Sequence, residues 1–371
     1  MKKIITLLLC VAMLCSLASC GKKEEKTTQK DKDITDSKTT LEDVSEENDE
    51  TLPEDTEPRA EEETDVAEKD VATENKDAES QESEEAPSEE EEAEELEETK
   101  ECIELPYRQT IAAGYDTSVA IQSDGKITCV GEDSCYATDV VSVDQHRHYI
   151  CIKSDGSISA GGTKNLLGEC NVWEWTDIVA VAAGEDFSVG LKSDGTVVTT
   201  GYLYGDFAGV DSWTDIVAID AGSYTMVGLR SDGTVVAAGS YNQDIEAWTD
   251  IVAVSASNGC VVGIKSDGTA IASVTHSEDP RGKVSHWSDL VAVSVALNHV
   301  VGLRSDGTVV STVIEDIEFD WGQCAVSDWT DIVEISANYT HTLGLRSDGT
   351  VVSAGRGDKC EVSGWSNIQL P

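Results

Sequence analysis

The tripeptide Ser-Asp-Gly recurs seven times in this chain, with its Asp at 124, 155, 194, 232, 267, 306 and 348, at spacings of 31, 39, 38, 35, 39 and 42 residues. A second anchor, Trp-[Thr/Ser]-Asp-[Ile/Leu]-Val, begins at Trp175, Trp213, Trp248, Trp287 and Trp329, and each Trp precedes the next Ser-Asp-Gly aspartate by 19 residues. A constant offset between two anchors marks a rigid unit, and the variable remainder marks insertable loops. Such a chain is confined to repeat architectures, in which a unit buries its apolar face only against its neighbours.

Each unit reads as a β-hairpin. In Val189-Gly190-Leu191-Lys192-Ser193-Asp194-Gly195-Thr196-Val197-Val198 an apolar strand, an Asp-Gly pair and a β-branched strand follow one another. Asp-Gly predicts a tight turn with both central residues at positive φ. The preceding strand, Ile178 to Gly184, uses Ala and Gly, which let sheets crowd together near an axis. Only three Phe and three Met beside 30 Gly argue against helices packed on an aromatic core. Ser-Asp-Gly lacks the further alternating carboxylates of a calcium loop, so a turn is the expected reading and no metal site is assigned.

Short-stranded units of this length build either a propeller or a solenoid. The C-terminal Trp365-Ser366-Asn367-Ile368-Gln369-Leu370 begins an eighth copy, and the first copy lacks that same beginning, with Leu105 at the Trp position and Arg108-Gln109 at the Ile-Val position. One end thus holds what the other lacks, which predicts an all-β, seven-bladed propeller over 102–371, closed by its C-terminal segment and monomeric. The motifs Trp-Thr-Asp-Ile-Val, Ala-Ala-Gly, Gly-Leu-Lys/Arg-Ser-Asp-Gly-Thr-Val-Val and Gly322-Gln323-Cys324 resemble the repeats of the regulator of chromosome condensation family in its bacterial secreted form. That resemblance implies the same seven-bladed fold. It implies no single function: the family includes a nuclear nucleotide-exchange factor that docks on nucleosomes, and a secreted bacterial propeller of this fold inhibits β-lactamases.

The N-terminal part supplies an address. Lys2-Lys3 precede an apolar run from Ile4 to Leu14, too short for a permanent membrane span and typical of an export signal over residues 1–19. Leu17-Ala18-Ser19-Cys20-Gly21 resembles the lipobox of bacterial lipoproteins. The resemblance implies a mature chain that begins at lipidated Cys20 and is held on the outer face of a membrane by its acyl chains. Residues 20–101 read as a disordered acidic tether, because they contain almost no large apolar residue with which to offset ordering entropy. Its reach lies between about 50 Å as a coil and roughly 270 Å fully extended.

Charge excludes one class of partner. The chain carries 26 Lys+Arg against 72 Asp+Glu, a net −46. The first hundred residues hold 12 basic and 34 acidic residues, and the remaining 271 hold 14 and 38. Neither part offers the basic footprint that nucleic acid requires.

Chemistry-bearing motifs are sparse. Three of the 11 Cys (Cys10, Cys15, Cys20) belong to the signal and lipobox. Cys170, Cys324 and Cys360 each lie five residues before a Trp, one equivalent position in separate blades, where they are expected to be small buried apolar residues too far apart to pair. Cys102 and Cys135 fall near blade starts and Cys129, Cys151 and Cys260 in strands, which leaves room for a disulfide. His146-Arg147-His148 is a weak His-x-His pair on a strand face, with turn and edge positions as the plainer reading. His299 and His341 share one repeat position and are expected to pack. No Gly-x-Ser-x-Gly, phosphate-cradling loop or His-Glu-x-x-His occurs, so no catalytic residue and no cofactor is assigned.

Variation between copies is where binding is expected. Two residues follow the Ala-Ala-Gly position in each unit: Tyr115-Asp116, His146-Arg147, Glu185-Asp186, Ser223-Tyr224, Asn258-Gly259, Leu297-Asn298 and Tyr339-Thr340. Seven equivalent turns would ring one end of the axis, and loop variation on a rigid scaffold is how such folds bind. Longer loops, Tyr202 to Ser212 with Tyr204 and Phe207, and Thr275 to His286, form a second candidate surface. The expected function is a cell-surface, lipid-anchored, non-catalytic module that binds an extracellular protein or glycan. Its alternatives are a polymer-acting hydrolase or lyase using Glu185 and Asp186, and a spacer without a ligand.

Overall fold

The computed structural model describes residues 108–371 except 132–134, 163–164, 204–206, 208, 242, 313–316 and 358–360. The export signal, Cys20, the tether, Cys102, Tyr204 and Cys360 lie outside the described residues.

Seven three-stranded antiparallel sheets follow one another along the chain, each built from three consecutive strands. We number these blades 1 to 7 by their Ser-Asp-Gly turns. Blade 3 comprises an inner strand Ile178–Ala183, a middle strand Phe187–Lys192 and an outer strand Val197–Gly201. Blade 1 runs from Ile111–Ala113 through Thr117–Ile121 to Ile127–Gly131, and blade 7 from Ile332–Ala337 through His341–Arg346 to Val351–Gly355. The seven-bladed propeller read from the repeats is the observed fold.

The Ser-Asp-Gly turn differs from the expectation. Gly195 has φ +84°, but Asp194 is not among the residues of positive φ. The Gly195 N–H bonds the Lys192 carbonyl and the Lys192 N–H bonds the Thr196 carbonyl. This is the three-residue hairpin of a type I turn followed by a left-handed glycine. Asp194 Oδ1 accepts from the Thr196 N–H at 2.9 Å and from its hydroxyl at 2.6 Å, and this local bond favours the right-handed conformation at Asp. The same pair recurs at Asp232, Asp267, Asp306 and Asp348. Two positive φ values in succession do occur at Asn258 (+45°) and Gly259 (+74°), in the two-residue turn of blade 5.

The conserved offset between Trp and hairpin has a packing cause. A Cβ at Gly190 would lie 2.8 Å from the Trp175 ring, and the same close approach joins Gly228 to Trp213, Gly263 to Trp248, Gly302 to Trp287 and Gly344 to Trp329. The indole lies on the middle strand of its own blade, where only hydrogen leaves it room. Blade 2 departs from the arrangement: Cys151 occupies the glycine position, and the buried Ala137, two residues before Asp139, stands where those blades have Trp.

The aspartate of the Trp motif takes a left-handed conformation in six blades (Asp139, Asp177, Asp215, Asp250, Asp289, Asp331), at φ 61° to 63°. Its carbonyl accepts the N–H of the following Ser-Asp-Gly serine, as in Ser193 to Asp177 and Ser347 to Asp331. Blade 1 borrows this part from the far end of the chain. Asn367 has φ +58°, its carbonyl accepts the Ser123 N–H at 2.8 Å, and Ile368 bridges Gln122. The Gln369 N–H then reaches the Ile121 carbonyl at 2.8 Å. The inner edge of blade 1 is therefore shared by Thr110 to Ala113 and Ile368 to Gln369, and the ring closes as the terminal copy predicts.

Side chains also stitch blade to blade. At one equivalent inner-strand position, Asp144, Asp220, Ser255, Ser294 and Ser336 each accept a backbone N–H of the next blade, at Ala183, Ala256, Val295, Ala337 and Ala113, over 2.7 to 3.0 Å. Blades 1 and 3 have Ala112 and Ala182 there. Glu334 reinforces the junction of blades 7 and 1 by accepting the N–H groups of Thr110 (2.8 Å) and Ile111 (3.2 Å) and the Thr110 hydroxyl.

Candidate functional site

The turns joining inner to middle strands all lie at one end of the propeller, as the repeat register requires, but they are not equally available. His146, Ser223 and Thr340 are buried, and Tyr115, Asp116, Glu185, Asp186, Asn258, Leu297, Asn298 and Tyr339 are half-buried. Arg147 and Tyr224 are exposed. Three positions proposed for a binding rim therefore serve packing instead.

His146 and His148 sit in the turn between strands and do not face a common ligand. His146 Nε2 meets Ser223 Oγ at 3.3 Å, so a residue of blade 2 touches one of blade 4 across the top of blade 3. His148 Nε2 lies 2.7 Å from Ser188 Oγ of blade 3, and Ser188 donates its own proton to the Glu169 carbonyl at 2.8 Å. The serine must then accept, which assigns the Nε2–H tautomer to His148. The shared position of His299 and His341 has the same use: His299 pairs with Thr342 at 2.8 Å, and His341 pairs with Ser118 of blade 1 at 2.9 Å. Burial pushes His146 and His299 down to about 3 and His148 to about 4, so all three are neutral near pH 7.

What the turns present outward is one connected row. Tyr115 of blade 1 and Tyr339 of blade 7 stack with ring centroids 5.0 Å apart and an interplanar angle of 11°. Arg147 of blade 2 places its guanidinium carbon 5.2 Å from the Tyr115 centroid. Its Nη2 reaches Glu185 Oε1 of blade 3 at 2.6 Å, and Tyr224 of blade 4 hydrogen-bonds the same carboxylate. Beyond Tyr339 the row continues through Trp321, 5.6 Å away at 65°, to Phe319, a further 6.3 Å at 68°. Desolvation raises the Tyr115 and Tyr224 phenols above their ordinary value, so both stay protonated.

The long loops carry several residues that sequence reasoning misplaced or missed. Phe207 is buried against Phe187, with centroids 5.4 Å apart, and so lies in the core instead of on a surface, whereas Tyr202 is exposed. Arg281, inside the Thr275 to His286 loop, is buried. Its guanidinium donates to the carbonyls of Ser257, Asn258 and Ala296 and pairs with Asp279 at 2.6 Å, which ties blade 5 to blade 6. No motif signalled this, because its partners are main-chain atoms. Cys170 and Cys324 are half-buried, not fully buried, and their thiols are pushed up to about 12 and about 11 by desolvation. No disulfide joins Cys129, Cys135, Cys151 or Cys260 to another described cysteine. The Cys135 N–H instead donates to Cys129 Sγ at 3.1 Å.

Fold and rim together define a β-propeller that presents a preorganised row of loop side chains. Two of its blades match the profile of the regulator of chromosome condensation (RCC1) repeat, blade 3 over residues 178–202 and blade 7 over residues 332–359. Two plant ectodomains share the architecture. The CRINKLY WD40 ectodomain of the Arabidopsis thaliana receptor kinase ACR4 superposes with a TM-score of 0.55 at 16% identity, covering 71% of this chain and 98% of that one. The ectodomain of the Physcomitrella patens receptor kinase CR4 gives 0.54 at 14% identity, covering 67% and 73%. At these identities the likeness is one of fold. No curated protein matches the chain at a significant level.

Proposed function

We propose that this chain is an exported binding module, lipid-anchored through Cys20, carried on its acidic segment, and non-catalytic, which recognises a protein through the turn face of the propeller. The observation that carries this reading is the row Phe319, Trp321, Tyr339, Tyr115, Arg147, Glu185, Tyr224, assembled from the loops of five blades and the connection between blades 6 and 7. Trp, Tyr and Arg are the residues that dominate protein-binding energetics, and their fixed geometry lowers the entropy lost on association. A protein is favoured over a glycan because Tyr115 is flanked by Tyr339 from one neighbouring blade and Arg147 from the other. The hydrolase alternative loses support because Glu185, only 11% exposed, is already engaged by Arg147 and Tyr224.

The test uses the intact chain on cells that export it, with p-benzoylphenylalanine in place of Tyr224 or, as a control, of the exposed Trp173. A discrete protein adduct from position 224 that is absent from position 173 supports the reading, and equal or no adducts at both reject it. Incorporation of labelled palmitate, lost on Cys20→Ala, checks the anchor; retained label refutes it.

A further inference from the structure

The loop bearing Phe319 and Trp321 is held by its own support. Gln323 is fully buried, its Oε1 accepts the Trp321 N–H at 2.7 Å, and its Nε2 donates to the Phe319 carbonyl at 2.7 Å. Asp320 Oδ1 accepts the Gly322 N–H at 2.9 Å. The loop between blades 2 and 3 repeats the device: Glu169, at the position of Gln323, is buried and accepts the Leu167 N–H at 3.0 Å. The supports are alike and the displayed residues are not. One loop presents the aliphatic Leu166 and Leu167, the other an aromatic and acidic trio, Phe319, Asp320 and Trp321. A backbone clamp common to both loops therefore does not dictate these side chains, and what they present is open to be set by a ligand.

Charge says which ligand. Arg147 is balanced by Glu185 within the row. Asp116 acts on the Tyr115 phenol and Asp186 on the Tyr224 phenol, Glu318 and Asp320 flank Phe319 in the chain, and the Arg356 N–H bonds the Thr340 carbonyl at the edge of the Tyr339 turn. Aromatic faces carry negative quadrupole density, so rings and carboxylates attract the same kind of group. We infer that the Phe319–Trp321–Tyr339 end of the row is a seat for an arginine or lysine side chain of a basic protein segment. This rests on the turn face being the binding face, and it specifies the chemistry of the partner.

The probe is a tetra-arginine peptide titrated into the intact chain by calorimetry at about 0.15 M salt, where the Debye length of about 8 Å screens diffuse attraction. Trp321→Ala has the same net charge as the wild type, so it separates the aromatic seat from the general acidity of the chain. The expected result is binding about tenfold weaker in Trp321→Ala, within the range for a desolvated cation–π contact, and about threefold weaker in Asp320→Asn. Trp173→Ala should bind as the wild type does. Asp320→Asn keeps the oxygen that caps Gly322, so it reports even where Trp321→Ala disturbs the loop. No measurable wild-type binding, or equal binding by the wild type and both variants, overturns the inference. The outcome is separable from the broader reading: an adduct from position 224 together with a peptide that ignores Trp321 would leave the face intact and remove only the basic partner.

Discussion

The C-terminal closure is the perturbation with the largest expected effect. Truncation after residue 364 removes Trp365 to Pro371, and with them the bonds from Ser123 to Asn367, Ile368 to Gly349 and Gln369 to Ile121. At about 1 kcal/mol net each, these contribute roughly 3 kcal/mol. Ile368 is 3% exposed in a cluster with Ile111, Ala113, Ala120, Leu343, Leu345, Val351 and Val362, and emptying such a site costs about 2–5 kcal/mol. The sum, about 5–8 kcal/mol, is comparable to the whole stability of an ordinary domain. The truncated chain should therefore lose its cooperative melting transition in circular dichroism. Ile368→Ala alone should lower the midpoint by roughly 6–12 °C, taking about 3 kcal/mol and 2–4 °C per kcal/mol for a chain of this size. Ile216→Ala, at the equivalent place in blade 4, is the reference for a strand with no break. A truncation that melts within about 2 °C of the full chain, small against that expected shift, would refute the reasoning. It would mean that the direct contacts of Glu334, Ser336, Asn338 and His341 with blade 1 suffice to hold the ring.

Two further outcomes follow from the packing. Gly344→Ala puts a Cβ 2.8 Å from the Trp329 ring and should destabilise the chain by about 1–3 kcal/mol in urea unfolding, an effect that Trp329→Leu in the same chain should partly reverse. Burial pushes the Glu334 carboxyl up to about 7, so between its unfolded value near 4.3 and about pH 7 the folded chain holds a proton that the unfolded chain has released. Its contribution is full below that window and is lost as pH rises through it, by up to about 1.36 kcal/mol per unit. His146, His148 and His299, held neutral, act in the opposite sense and lose stability as pH falls below about 6.5. The difference in melting between Glu334→Gln and the wild type isolates the carboxyl: the variant should gain relative to the wild type from pH 5 to pH 8, and parallel profiles would contradict the assignment.

The candidate face was legible in outline because loop identity follows from register: once Ser-Asp-Gly marks one end of every hairpin, the other turns must share the opposite end. The sequence could not show that Thr340 would point inward and Tyr339 would remain half-exposed, because neighbours in a turn diverge according to backbone angles that only packing sets. Nor could it show that His146 reaches Ser223 across an intervening blade. The Asp-Gly turn type differs from the expectation for a local reason, since the same dipeptide serves two hairpins and the bond from the N–H two residues on to the aspartate carboxylate, as at Thr196 and Lys126, favours the one observed.

Taken alone, the sequence determined the repeat, the number of blades and the site of closure, because a fixed 19-residue offset between Trp and Asp reflects one indole lying on one glycine inside a single blade. These are short-range relations, and short-range relations survive in linear order. The tertiary structure alone decided which loop side chains meet. Tyr115 and Tyr339 are 224 positions apart, yet they stack because the ring brings first blade against last. No periodicity along the chain encodes a contact made by closing it.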